Sequence, residues 1–252
     1  MELPKMIRKK KNDIVKDLGS SFLWGLEKFI ANNSKIPTTP ILNKEMFEWS
    51  SILEDNWMNI RKELDQILKH KDAIPRFQDI SQDQKSISKD DDWRTYFLYG
   101  FGYKAKKNCL RCPLTTSLIE QIPGMTTAFF SILNKGKHIP RHRGVFNGFI
   151  RYHLGLKIPE PAASCRMEIE NYTFNWEEGK GVLFDDTYQH EVWNNSNDER
   201  VVLLVDVIRP LNFHANMVNK ALINTIKHSY YVQDAKKNQE KWENLLIERK
   251  LS

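Results

Sequence analysis

His142, within Ile139-Pro-Arg-His-Arg-Gly144, and His190, within Phe184-Asp-Asp-Thr-Tyr-Gln-His-Glu-Val-Trp-Asn194, each stand at the margin of a predicted β-strand. Imidazole nitrogens on neighbouring strands can ligate one transition metal. Their separation of 48 positions (190 minus 142) fits that arrangement and equally fits two ordinary hydrogen-bonded histidines, so the pair alone leaves both readings open. Two more strands carry charge in alternation. From Phe149, Arg151 and His153 point to one face while Ile150, Tyr152, Leu154 and Leu156 point to the other. In the strand that starts at residue 200, Arg200, Val202, Leu204 and Asp206 share a face opposite Val201, Leu203, Val205 and Val207. A cation and an imidazole therefore line one wall, and Arg200, at the start of a strand apolar on both sides, needs an anionic partner or solvent. Asp186, four residues before His190, is either a partner of a metal-held water or the cap of the turn Asp185-Asp186-Thr187.

These residues need elements to hold them. Leu53, Trp57, Ile60, Leu64 and Ile67 recur at spacings of four, three, four and three, which predicts one amphipathic helix over 49–68. Residues 70–92 are polar and aperiodic and are expected to form a long surface loop bordering the site. Short β-type runs follow at 125–133, 145–158, 166–174, 181–184 and 200–208, several of them separated by turn signals such as Asn134-Lys-Gly136. Many short strands between turns predict a sandwich or barrel. After Arg209-Pro210 the spacing of Val218, Leu222, Ile226 and Tyr230 returns to helix. Trp176 and Trp193 are expected to be packing residues.

The 252 residues are 40% hydrophobic and 28% charged, a balance that places the chain among globular proteins and sets one decorated domain as the default. A net charge of +6 falls short of a dedicated nucleic-acid footprint, so no nucleic-acid partner is expected. The longest stretch without charge or histidine, 121–134, contains Pro123 and Gly124 and is shorter than the roughly 20 residues a bilayer span needs. The apolar run after Lys5, Arg8, Lys9, Lys10 and Lys11 is broken by Asp13, Lys16 and Asp17, which argues against a secretory signal; a cytoplasmic protein is expected. Membrane association is the alternative, because those cations precede Phe22, Leu23, Trp24, Leu26, Phe29 and Ile30, and residues 5–30 could lie in a bilayer interface. Cys109 and Cys112 form a close pair, but Cys165 has no matching second pair, so ordinary reduced thiols are expected rather than structural zinc.

The segments from Ser131 through His142-Arg-Gly, Arg151-Tyr-His-Leu-Gly-Leu, Trp176-Glu-Glu-Gly, Phe184 through Asn194, and Arg200-Val-Val-Leu-Leu-Val-Asp together resemble the aspartyl/asparaginyl β-hydroxylase family. Asp55-Asn-Trp-Met-Asn-Ile-Arg61 extends the resemblance, which runs in order from about Trp49 to Pro210. It implies a mainly β fold with flanking helices, a double-stranded β-helix (jelly roll, cupin-like). It also implies an Fe(II) and 2-oxoglutarate-dependent dioxygenase, with O2 as the other co-substrate. His142 and His190 are the implied metal ligands and, with Asp186, the catalytic set. Ser131, His153 and Arg200 are implied to bind the co-substrate, Arg200 taking its distal carboxylate. Arg151 is implied to bind substrate.

Many such oxygenases carry a carboxylate two positions after the first histidine, and this chain has Gly144 there. The aspartyl hydroxylases resemble it in that respect, whereas lipid A hydroxylases carry aspartate. The expected substrate is accordingly an aspartyl or asparaginyl residue or related peptide or small molecule with an anionic group, held by Arg151. A lipid acyl chain is the alternative, and a non-catalytic cupin-like module or a zinc hydrolase on the same barrel are rivals from other classes. The expected division is an N-terminal helical region and loop at 1–100, the barrel core at 101–210, and a C-terminal helix and tail at 211–252.

Overall fold

The computed structural model describes residues 24–144 and 146–248. The basic cluster at Lys5–Lys11, and Phe22 and Leu23 with it, lie outside the described residues. Eleven strands are present among the described residues: β1 (Ile41–Leu42), β2 (Trp93–Gly100), β3 (Tyr103–Lys104), β4 (Met125–Leu133), β5 (His138–His142), β6 (Phe149–Lys157), β7 (Cys165–Ile169), β8 (Tyr172–Asn175), β9 (Gly181–Phe184), β10 (His190–Asn194) and β11 (Arg200–Ile208). The helices are α1 (24–32), α2 (Trp49–Asp55), α3 (Trp57–Leu68), α4 (Phe77–Ile80), α5 (Lys106–Arg111), α6 (Pro113–Ile119), α7 (Phe213–Lys227) and α8 (Tyr230–Glu248).

A seven-stranded sheet runs in the order β1-β9-β6-β11-β4-β2-β3, and a four-stranded sheet in the order β5-β10-β7-β8. From β4 to β11 the chain passes back and forth between the two sheets. It inserts β11 between β4 and β6, and β10 between β5 and β7, with every pairing antiparallel. That winding is the double-stranded β-helix.

Alternation divides the large sheet into two environments. One face carries Ile132, Phe130, Ile150, Tyr152, Leu154, Val201, Leu203 and Val205, which pack beneath Leu53, Ile60, Leu64, Cys109 and Ile119 of the helices. The other carries Leu133, Val202 and Phe184, which meet Met167, Ile169 and Val192 of the small sheet to fill the barrel. Long apolar strands follow from burial on both sides. Cys109, Cys112 and Cys165 are buried free thiols, and burial raises the pKa of each.

Several boundaries differ from the sequence reading. The helix over 49–68 is two helices, broken at Asn56, whose side-chain amide donates to the Ile52 carbonyl and competes with the backbone ladder. The apolar stripe keeps its phase across the break. The expected loop at 70–92 contains α4 and two short 3-10 turns and buries Gln78 and Ile80, while Phe77 packs 4.6 Å from Trp93. The strand over 166–174 is two strands joined at Glu170, which has φ 49°. β2, assigned by sequence to the helical region, pairs with β4 in the large sheet, and α5 and α6 lie inside the stretch expected to be all barrel. Among the described residues no helix is long and apolar enough to cross a membrane.

Candidate active site

β5 ends on His142 and β10 begins on His190, and the two residues are direct register partners. Their ring centroids are 4.2 Å apart. Each Nδ1 lies against the backbone carbonyl two residues earlier, Pro140 O at 2.8 Å for His142 and Tyr188 O at 2.9 Å for His190. A carbonyl accepts only, so each Nδ1 carries the proton and each Nε2 keeps its lone pair, the tautomer a metal ligand needs. Burial, reinforced by the neighbouring His142, lowers the His190 pKa to about 3, and burial lowers that of His142 as well. Both rings are thus neutral, as ligation requires. Among the described residues no group of three or more His, Cys, Asp or Glu forms a ready metal cluster; the register-paired His142 and His190 could offer a metal two nitrogen donors.

The inner face of the large sheet supplies the rest. Along β11, Asp206 is opposite Arg151 of β6, Leu204 is opposite His153, and Val202 lies between Gly155 and Ser131 of β4. Arg200, Ser131, His153 and Arg151 therefore share one barrel-facing surface, with successive rungs about 7 Å apart.

Arg200 is 1% exposed, and its Nε and Nη1 have no hydrogen-bond partner. Its contact is with the Trp176 ring, 4.3 Å from the guanidinium carbon to the centroid. Burial pulls its pKa down to about 10, so it remains charged at neutral pH. His153 is buried with both ring nitrogens unpartnered, stacked 6.0 Å from Trp176 and edge-on to Phe184 at 4.9 Å. Burial, then the nearby Arg200, hold it well below the usual histidine pKa. An unpaired buried guanidinium beside a ring with no hydrogen-bond partner is costly in an apolar barrel, and this is the donor set a carboxylate ligand would satisfy. Ser131 accepts from Trp93 Nε1 at 3.1 Å, which leaves its own hydroxyl proton to donate elsewhere. Trp176, expected to be only packing, is fully buried and touches both Arg200 and His153. Trp193 stacks on His138 and Arg166 instead.

Arg151 differs from its expectation. Its Nε and Nη2 donate to the two oxygens of Asp206 at 2.7 and 3.0 Å, and its Nη1 lies 3.0 Å from Asp186 Oδ2. Against the cost of burial, these two carboxylates raise its pKa. The cation already has two carboxylate partners, so its charge needs no substrate anion to compensate it. Asp186 is buried, and burial, opposed by Arg151, raises its pKa to about 6. The turn cap is its neighbour: Asp185 accepts from Thr187 N and Oγ1 and pairs with buried Arg209. A Cβ built on Gly144 would lie 2.5 Å from Asp186 Oδ1, so the Asp186 carboxylate occupies the space a side chain at 144 would take.

Asp206, which the sequence places on a strand face without a role, is the residue that pairs with Arg151 across β6 and β11. Its signal was present, an acid on the same strand face as Arg200, but only the register shows that it faces Arg151. Asp206→Ala is expected to destabilise the fold by about 1–3 kcal/mol, because it leaves a partly buried arginine with only one of its two acids. The urea midpoint measures this; a midpoint within error of the parent would remove Asp206 from the network.

Comparison with known proteins adds a second line. Residues 54–210 match the family model described as aspartyl/asparaginyl beta-hydroxylase. The chain is 42% identical over 210 residues to an ornithine lipid ester-linked acyl 2-hydroxylase of Rhizobium tropici, covering 83% of this chain and 75% of that protein. It is 32% identical over 163 residues to the aspartyl/asparaginyl beta-hydroxylase of Homo sapiens, covering 63% of this chain and 21% of the other. With aspartate beta-hydroxylase domain-containing protein 2 of Homo sapiens it shares 29% identity over 188 residues, 69% of this chain and 48% of the relative. The chain thus spans less than half the length of either human relative.

Proposed function

This chain belongs to the aspartyl/asparaginyl β-hydroxylase family, and from that premise we propose that it is an iron(II)- and 2-oxoglutarate-dependent hydroxylase whose substrate is the acyl chain of a polar lipid. The observation that carries the co-substrate is the buried, unpartnered guanidinium of Arg200. Its planar fork matches a carboxylate, each charge-assisted bond contributing about 1.5–3 kcal/mol, and the distal carboxylate of 2-oxoglutarate is the group it would take, with Ser131 as a further hydroxyl donor. His142 and His190 would hold the metal through Nε2, their carbonyl-anchored Nδ1 atoms fixing ring orientation. With 2-oxoglutarate and dioxygen, iron(II) there supplies the oxidising chemistry that converts C–H to C–OH and releases succinate and carbon dioxide.

The protein's own work is placement. Trp176 and Phe184 wall the co-substrate end from water. Asp206 locks Arg151, Arg151 holds Asp186, and Asp186 stands beside Gly144, where its buried carboxylate can accept a hydrogen bond at the metal-facing surface.

The lipid assignment draws support from three observations. Similarity to the lipid acyl hydroxylase covers 210 residues, beyond the 54–210 core, at higher identity than to the aspartyl hydroxylases. Arg151, the residue expected to hold an aspartyl carboxylate, is already engaged by two acids. Gly144 has a substrate-independent reason in the packing of Asp186.

The test offers purified protein, iron(II) and 2-oxoglutarate either a polar acyl lipid dispersed in detergent or a mixture of Asp- and Asn-containing peptides. Succinate release and the mass gain of one oxygen atom are followed. Reaction on the lipid alone is expected; reaction on peptide alone would overturn the substrate and leave the iron site standing, and no substrate-dependent succinate in either arm would sink the hydroxylase reading.

A further inference from the structure

The stretch that follows His142 leads out of the barrel and lies against two helices. Arg143 pairs with Glu27 of α1, Asn147 Nδ2 donates to the Glu27 carbonyl at 2.8 Å, and Asn219 Nδ2 of α7 donates to the Gly148 carbonyl at 2.9 Å. Phe146 joins Ile30, Leu211 and Ala215 in a small core against which Leu26 and Leu222 pack. The end of α1 meets the start of α7 through Asn212 N to Asn33 O at 3.0 Å. Both helices are thereby seated beside the metal-facing histidine, with their inner sides filled.

Their outer sides carry exposed apolar side chains among polar and basic ones. Trp24 is 65% exposed, Phe213 71% and Met217 58%, with Phe29 and Val218 also exposed. On α7, Phe213, Met217 and Ala221 recur every four residues, one stripe on the solvent side away from buried Ala215, Asn219 and Ile223. Single exposed apolar residues need no explanation; a set of them on two adjoining helices does. Charge is biased in the same place. Residues 24–35 and 211–229 contain one acidic residue, Glu27, already paired with Arg143, against Lys28, Lys35, Lys220 and Lys227. Lys28 sits 5.3 Å from the centroid of the Trp24 ring. Exposed aromatic and aliphatic side chains flanked by lysines, with no uncompensated acid, are complementary to an anionic bilayer surface.

We propose that α1 and α7 form an interfacial docking surface for an anionic lipid bilayer, which brings the barrel mouth to an acyl substrate that resides there. The proposal rests on the lipid reading above for its purpose, but its test is separate. The full chain is sedimented with phosphatidylcholine vesicles containing phosphatidylglycerol, and with pure phosphatidylcholine, alongside the variant Trp24→Ser/Phe213→Ser/Met217→Ser. These positions are exposed, so the variant should keep its melting temperature. The expected result is binding to the anionic vesicles that weakens with salt and falls about tenfold or more in the variant. The variant should still hydroxylate detergent-dispersed lipid while losing turnover on vesicles.

Wild-type protein that hydroxylates dispersed lipid but does not bind vesicles overturns the docking surface and spares the substrate. Vesicle binding that depends on the three residues, with no acyl hydroxylation in either format, keeps the surface and removes the substrate reading. Equal binding by variant and wild type, or self-association lost in the variant without vesicle binding, assigns the patch elsewhere and overturns the proposal.

Discussion

Replacing His142 or His190 by alanine is expected to abolish hydroxylation and to lower iron(II) affinity by more than the roughly 100-fold typical of losing an outer partner. The reason is arithmetic of donors: the barrel offers these two neutral imidazoles and no third clustered protein ligand among the described residues. Removing one leaves a single nitrogen, which cannot compete with water for the metal. Neither substitution should unfold the barrel, since Ile139, Ile169 and Val192 around the pair remain packed. Iron content after desalting, read beside the melting temperature, checks this. A variant that keeps full iron and full turnover would place the metal elsewhere.

Arg200→Ala is expected to weaken 2-oxoglutarate binding by roughly 30-fold to a few thousandfold, the equivalent of the 2–5 kcal/mol lost when one partner of a buried charge pair is truncated. Arg200→Lys should recover little, because a point charge lacks the fork and stacks less well on Trp176. The same geometry predicts an unusual companion result. Without co-substrate, Arg200 is a desolvated cation with two unpartnered nitrogens, so an apolar replacement such as Arg200→Met should leave the free protein as stable as the parent or more so. A structural arginine would behave in the opposite way, with stability lost and co-substrate affinity kept. Equilibrium binding of 2-oxoglutarate and thermal melts of the free protein separate the two.

Much of this site was legible in the sequence because β-strands have a strict period of two. Arg151 with His153, and Arg200 with Asp206, could be put on common faces from alternation alone, and the motifs around His142 and His190 carried the family resemblance. What alternation cannot supply is register. Arg151 and Asp206 are 55 positions apart, and only the β6–β11 pairing makes them opposite one another, which turned an expected substrate cation into part of an internal network. The Asp185-Asp186 pair shows a similar limit: both acids are buried, one capping the turn against Arg209 and the other facing Arg151, a division set by those two arginines rather than by local sequence. In the fold, α4 escaped notice because Ile74, Phe77 and Ile80 are scattered among polar residues that mask a helical period. The break at Asn56 left the apolar stripe intact, so periodicity could not reveal it.

On the proposed function, one iron(II) and one 2-oxoglutarate bind together between the two histidines and Arg200. Anaerobic titration of the purified protein with both, followed by visible absorption, tests it most directly. A 2-oxoglutarate chelate on iron(II) gives a charge-transfer band that neither component gives alone. The band is expected to saturate at one equivalent of each, to be lost in His190→Ala, and to require much more 2-oxoglutarate in Arg200→Ala. A band that is absent from the parent protein, or present unchanged in both variants, would contradict it.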